Sequence, residues 1–199
     1  MNILRYILIA AAAYLIGSFS FSITLSRLVF HKDVREGGSG NAGATNMART
    51  YGIWPGLVTL LGDVAKAAVS CTLGYMFLEE PGLALAGAAC ITGHCFPVYY
   101  GFKGGKGVSA GLAIAFATEW RCGIAAIAVF LLTAFLSKKV SLGSMLGCVS
   151  AVVCSFVVSA SLPRTLMLCY TAFFIIIRHS ENISRLIAGT EKDFRVGGK

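Results

Sequence analysis

Apolar residues gather in runs near 3–29, 54–78, 82–100, 107–118, 122–137, 143–161 and 164–178, and the short segments between them hold most of the charge. A bilayer core takes about 20 apolar residues per helix. The pattern therefore predicts an all-α, polytopic transmembrane helix bundle of about seven spans, built as one membrane-embedded domain over residues 1–199. The 107–118 run is short and punctuated by glycine, so it either crosses or re-enters on the same side. The first run has Arg5 early and alanines at 10–13, as a signal peptide would. Its apolar stretch continues to Phe30, however, and ends on His31 and Lys32, which predicts a retained span.

Composition narrows the class. Of 199 residues, 56% are hydrophobic and 13% charged, against about a quarter charged in soluble domains. That excludes a soluble globule, and a chain this apolar is not a disordered one. The net charge of +8 raises the question of nucleic acid, but no basic cluster with interleaved aromatics forms a binding stripe. The charge sorts by loop instead. With the N-terminus outside, one face receives Lys32, Arg35, Arg49, Lys103, Lys106, Lys138, Lys139, Arg185, Lys192, Arg195 and Lys199. The other contains or borders Arg5, Arg121 and Arg164, beside the acidic Glu79, Glu80 and Glu119. Lysine and arginine in short loops set orientation, so a cytoplasmic C-terminus is expected. The seven cysteines are odd in number and form no CxxC pair. They signal neither a zinc site nor a disulfide framework and read as small hydrophobes in helix packing.

The cytoplasmic set carries the candidate chemistry. The first segment, GGSGNAGATNMAR from Gly37 to Arg49, has glycines at 37, 38, 40 and 43 that permit close backbone approach and amides converging on an anion. Ser39, Asn41, Thr45 and Asn46 add short donors, and Arg49 a planar fork suited to phosphate. A flexible linker is the bland alternative, but it has little use for four short donors and a terminal arginine. The second, GHCFPVYYGFKGGKGVSAG from Gly93 to Gly111, fits the Walker pattern in no register, so nucleotide hydrolysis is not indicated. Lys106, behind Gly104 and Gly105, is its candidate phosphate contact, whereas Lys103 reads as facing headgroups. His94 precedes the helix-breaking Pro97 and reads as an interior histidine. The third, RHSENISRLIAGTE from Arg178 to Glu191, puts His179, Asn182 and Arg185 on one helical face, while Glu181 and Arg185 can simply pair. In KKVSLGSM, Ser141 reads as a helix N-cap and Ser144 as a free hydroxyl near a helix start. Asp63 and Lys66 lie three apart in an apolar run, where unpaired charge is expensive, so they are expected to pair or to reach the cytoplasmic polar region, in a structural more than a catalytic role.

These segments, together with LGDVAKA, resemble the signature segments of the bacterial acyl-phosphate:glycerol-3-phosphate acyltransferases, over about Gly17 to Glu191. Ala67 stands where that family usually has glycine, which touches local packing only. The resemblance implies transfer of a fatty acyl group from acyl phosphate to the sn-1 hydroxyl of glycerol 3-phosphate, giving lysophosphatidic acid and inorganic phosphate. It implies neither acyl-CoA nor acyl carrier protein as direct donor; no cofactor is expected, and no carboxylate cluster calls for a metal. It further implies a multi-pass protein of the bacterial inner membrane with its active site toward the cytoplasm; a monomer is compatible with the sequence, which does not fix the oligomeric state. By position it assigns substrate or catalytic contacts to Ser39, Thr45, Arg49, Lys106, Ser144, His179 and Asn182, with Asn41 and Asn46 in the same cradle. Gly40, Gly43, Gly104 and Gly105 join the phosphate-binding set.

An acyl phosphate is already activated, so direct attack by the glycerol hydroxyl is expected, with no cysteine placed by the sequence to form an acyl-enzyme. Lys106, Arg49 and the Gly37–Gly43 amides would hold the phosphates, and either His179 or a substrate phosphate oxygen would take the proton. No Asp stands five residues after His31, His94 or His179, so the HxxxxD dyad of other glycerolipid acyltransferases is absent. An anion transporter would use similar glycine-broken segments, but the outward loops are short and no inverted repeat is visible. A non-catalytic subunit binding anionic headgroups predicts no turnover. An alcohol phosphotransferase would want clustered aspartates for metal, and Asp33, Asp63 and Asp193 are scattered. Reporter fusions test the threading: at Glu80 and at Lys139 they should report opposite sides of the membrane, and the same side at both would overturn it.

Overall fold

The computed structural model describes residues 3–193; Arg195 and Lys199 of the basic set lie outside them. Among the described residues the chain is helical throughout, with no strand. Apolar helices occupy each of the stretches read from the sequence. Four of them, Ile3–Phe30, Ile53–Tyr100, Trp120–Ser137 and Val140–Val157, are long and apolar enough to cross a membrane by length and composition.

The first run is two helices, α1 (Ile3–Ser18) and α2 (Phe21–Phe30). The chain breaks at Phe19–Ser20, where the Ser20 hydroxyl caps α2 by accepting from the Ile23 amide. A break inside an apolar run frees backbone groups that lipid cannot satisfy. Here Lys66 Nζ donates to Phe19 O at 2.7 Å while lying 2.9 Å from Asp63 Oδ1. The Asp63–Lys66 pair is thus present, and it fastens this break to the next long helix.

A short helix α3 (Ala44–Tyr51) precedes α4 (Ile53–Cys95). The stretches 54–78 and 82–100 are joined in α4 by a reversal. Leu78 and Glu79 leave helical geometry, Glu79 with φ +53°, just before Pro81. The two halves then run back antiparallel, so a Cβ on Gly74 would strike Gly82 O and one on Gly82 would strike Gly74 O. The second half packs on α1 in the same way, with Gly17 against the Cys90 backbone and Gly93 against Tyr14 O. Small residues at crossings are how helices associate where lipid removes the hydrophobic drive.

The remaining bundle is α5 (Val108–Thr118), α6 (Trp120–Ser137), α7 (Val140–Val157) and α8 (Leu162–Arg178), followed by the short α9 (Ser180–Ile187). Glycine again sets the spacing, since a Cβ on Gly147 would come within 2.8 Å of Ala126 O and one on Gly143 within 2.8 Å of Phe130 O. Loops 31–43 and 101–107, the α6–α7 turn and α9 meet at one end of the bundle. Arg35 there donates to Tyr100 O and Lys103 O at 3.1 and 3.0 Å, and Arg178 to Gly104 O at 3.2 Å. Gly82→Val should force the two halves of α4 apart and cost about 1–3 kcal/mol, read as a lower melting temperature of the detergent-solubilised protein.

Candidate active site

The loop-bearing end of the bundle opens into a cavity of about 970 Å³. Its mouth is polar and its depth apolar, because loops and short helices meet at the top and the bundle's own small residues line the shaft below. Two helices begin at its wall without side-chain caps, α3 after Gly43 and α5 after Gly107, and free amides at such starts favour anions. Ser39, Asn41, Gly43, Thr45, Asn46 and Arg49 reach the wall from the first loop and α3. Lys106, Ser144, His179 and Asn182 reach it from the second loop, α7, α8 and α9. Side chains far apart in sequence therefore share one space.

Several of the expected groups are committed to the fold. Asn46 is buried and spends its amide on the loop: Oδ1 accepts from the Ser39 N–H at 2.8 Å, and Nδ2 donates to Val34 O and Gly37 O at 2.9 and 3.1 Å. It braces the cradle and is no free donor. The Gly37–Gly43 amides are largely committed as well, Gly37 to Val34 O, Gly40 to Gly37 O and Gly43 to Asn41 O. Gly40 (φ +72°) is exposed, does not line the cavity and serves the turn. Gly104 and Gly105 do not line it either, because their N–H groups bond Cys95 O and His94 O. Their carbonyls face Arg178 instead. Lys103 is exposed and outside the cavity. Ser141 is not the N-cap of α7, which is Lys139.

His179 stands just beyond α8, and Nδ1 lies 2.7 Å from Ile175 O. A carbonyl only accepts, so that nitrogen carries the proton and Nε2 is left as an acceptor. Burial pushes its pKa down, the Ile175 carbonyl pulls it up, and the Lys106 and Arg178 charges lower it further, to about 4. The imidazole is neutral at physiological pH. Lys106 is also shifted down, first by burial and then by Arg185, and its ammonium donates to Asn182 Oδ1. Arg49 makes no ion pair among the described residues and lies half-buried at the wall.

Sequence reasoning missed Glu191. Its carboxylate accepts from Ser141 Oγ at 2.6 Å, Asn182 Nδ2 at 2.6 Å and Arg185 Nε at 2.7 Å, and its carbonyl takes Lys139 Nζ. Burial alone would raise its pKa, but the bonds from Ser141, Arg185 and Asn182 outweigh it and hold the group below the usual carboxylate value. Arg185 thus binds Glu191 at 2.7 Å more closely than the exposed Glu181 at 3.7 Å. Asp63 and His94 also reach the cavity wall, with His94 Nδ1 3.6 Å from Asp63 Oδ1. Spacing alone could not reveal either, because both depend on helices meeting across more than thirty residues. Cys148 lines the shaft too, but its thiol donates to Met145 O at 3.0 Å in apolar surroundings, where a nucleophilic thiolate is disfavoured.

The sequence model of the glycerol-3-phosphate acyltransferase family matches residues 7–189. A relative from Finegoldia magna with that name is 38% identical over 192 residues, covering 96% of this chain and 97% of its own. One from Listeria monocytogenes is 39% identical over 193 residues, covering 94% and 96%. The crystal structure of PlsY (YgiH), an integral membrane glycerol 3-phosphate acyltransferase, superimposes in its glycerol 3-phosphate form with a TM-score of 0.91 at 33% identity, over 96% of both chains. The lysophosphatidic acid form gives 0.88 at 32% identity, again over 96% of each.

Glu191→Ala should free the segment after α9 and cost about 1–3 kcal/mol for the donors left behind, detected as faster limited proteolysis there. Because the folded pKa lies below the ordinary value of 4.5, the anchoring is complete above that pH. It is lost as pH falls through the folded value.

Proposed function

The chain belongs to the glycerol-3-phosphate acyltransferase family, and from that premise we propose that it moves a fatty acyl group from acyl phosphate to the sn-1 hydroxyl of glycerol 3-phosphate. The products are lysophosphatidic acid and inorganic phosphate. The observation that carries the reading is one cavity whose mouth gathers Lys106, Arg49, Arg185 and several hydroxyls, and whose depth is apolar. Two phosphoryl groups suit the mouth, and an acyl tail suits the shaft.

Lys106, held by Asn182, and Arg49 bind the phosphoryl groups and offset charge building on the departing phosphate. Ser39, Asn41 and Thr45 line the first loop's side of the phosphate site, with Asn46, Gly40 and Gly43 shaping it. Ser144 Oγ donates to Val140 O at 2.9 Å, so its lone pairs accept from a substrate hydroxyl. The glycerol oxygen attacks the acyl carbonyl directly, the acyl–phosphate bond breaks, and no acyl-enzyme forms. His179 Nε2 orients the hydroxyl. With a pKa of about 4 this imidazole is a poor proton acceptor at neutral pH, so a phosphate oxygen of the substrate takes the proton. The loops face the cytoplasm of a bacterial inner membrane, the N-terminus lies outside, and the chain acts alone as one domain.

Purified protein should form lysophosphatidic acid from palmitoyl phosphate and glycerol 3-phosphate, and not from acyl-CoA. Lys106→Ala should abolish most of that turnover and weaken donor binding; wild-type values would remove the cradle. The acid limb of kcat should lie at about 6, where a phosphate monoester dianion takes up a proton, and His179→Gln should leave that limb in place. A limb near 4 that disappears in the variant would make His179 the base.

A further inference from the structure

Gly104 and Gly105 stand directly before Lys106, and the fold bonds both the N–H and the carbonyl of each. Helix α4 stops at Cys95, ahead of Pro97, which leaves its last carbonyls without helical partners. The Gly105 N–H donates to His94 O at 3.1 Å and the Gly104 N–H to Cys95 O at 3.2 Å. From the other side, Arg178 donates through Nη2 to Gly104 O at 3.2 Å and through Nε to Gly105 O at 3.4 Å. Both glycines are buried. The pair is therefore a mount for the residue that follows it rather than a ligand-binding surface.

Space is closed as well as bonding. A Cβ on Gly104 would overlap His94 O, and one on Gly105 would overlap His94 Nε2. The His94 ring thus fills the place beside Gly105 that a side chain would take. It is buried, and its Nδ1 lies 3.6 Å from Asp63 Oδ1, whose charge Lys66 matches at 2.9 Å. Because Lys66 already answers that carboxylate, the ring serves by its bulk and place. Arg178 is held in turn over the face of Phe96, 5.5 Å from the ring centre, and Phe96 meets Phe174 edge-on. Lys106 begins one peptide farther on, about 3.8 Å between Cα atoms, and its ammonium reaches Asn182 Oδ1 at the cavity wall.

We infer that His94 and Arg178 are positioning residues for Lys106, gripping the glycine pair from two sides and setting where the ammonium meets a phosphoryl group. The inference rests on the reading of Lys106 as a phosphate contact. The competing account is packing alone, in which both residues stabilise the bundle and Lys106 finds its place without them.

The test is a double-mutant cycle on the Kd of glycerol 3-phosphate, read by calorimetry on the purified full chain. Amide hydrogen exchange over residues 102–107 is the second readout. His94→Ala should weaken binding by about tenfold, the scale of one charge-assisted hydrogen bond. His94→Gln keeps polar bulk beside Gly105 and should recover most of that loss. Arg178→Lys keeps the charge but lacks the fork that spans two carbonyls, so it should weaken binding too, and it carries the same cycle if His94→Ala does not fold. In both variants exchange should rise at 102–107 and stay as in wild type in α1 and α7. In a Lys106→Ala background, neither change should weaken binding further. A loss that persists undiminished without Lys106, or exchange that rises throughout the bundle, overturns the inference in favour of packing alone. Lys106→Ala binding as tightly as wild type would instead defeat the phosphate reading, and exchange at 102–107 then decides whether the two residues hold the loop.

Discussion

The structure turns on one buried lysine. Lys66 sits 2.9 Å from Asp63 and donates to the Phe19 carbonyl at the break between α1 and α2. In lipid neither the broken backbone nor an isolated carboxylate could be left alone. One ammonium answers both and joins the first apolar run to α4. The same Asp63 reaches across the antiparallel turn of α4 to His94. That ring lies against the loops above, since a Cβ on Gly105 would strike His94 Nε2 and come within 2.7 Å of Ala42 O. A polar layer in the membrane part therefore sets the height at which both glycine loops sit. Removing one partner of such a buried pair costs about 3–5 kcal/mol, so the layer is an expensive one to disturb.

That support changes what the glycine loops are for. Glycine-rich phosphate loops usually invite an argument from converging amides. Here most of those amides are occupied by the chain itself, and the carbonyls of Gly104 and Gly105 are tied to Arg178. What glycine supplies instead is proximity. It lets the second loop press against His94 and the end of α4, so that Lys106 emerges at a fixed point beside Asn182. The charge at the cavity wall then comes from side chains, Lys106 and Arg49, on a backbone that has largely satisfied itself.

The membrane class, the helical runs and the three loop segments were legible in the sequence because apolar runs and glycine–polar clusters are local signals. His179, Asn182 and Arg185 could be placed together because helical spacing puts them on one face. The roles within the site were less legible. Asn46 looked like a substrate donor until its amide proved to be bonded to Ser39, Val34 and Gly37. Glu191 could not be found, since its partners include Ser141, fifty residues away on another helix. The loop read at Glu79, Glu80 and Pro81 is where the structure turns back: Leu78 and Glu79 leave helical geometry and the two halves of α4 run antiparallel from there.

The proposed chemistry follows from what these constraints leave available. The imidazole that faces the cavity is held neutral by burial and two nearby cations, and the cysteine that reaches the shaft is bonded to its own helix. Neither is a strong nucleophile or base. What the site has is fixed placement: a lysine steered by an asparagine, an asparagine and an arginine clamped by a carboxylate, and loops seated on buried charge. Holding two reactants in register can lower a barrier by about 7–11 kcal/mol. With the proposed activated donor, which carries its own leaving group and its own basic oxygens, positioning of that order would suffice without a covalent intermediate.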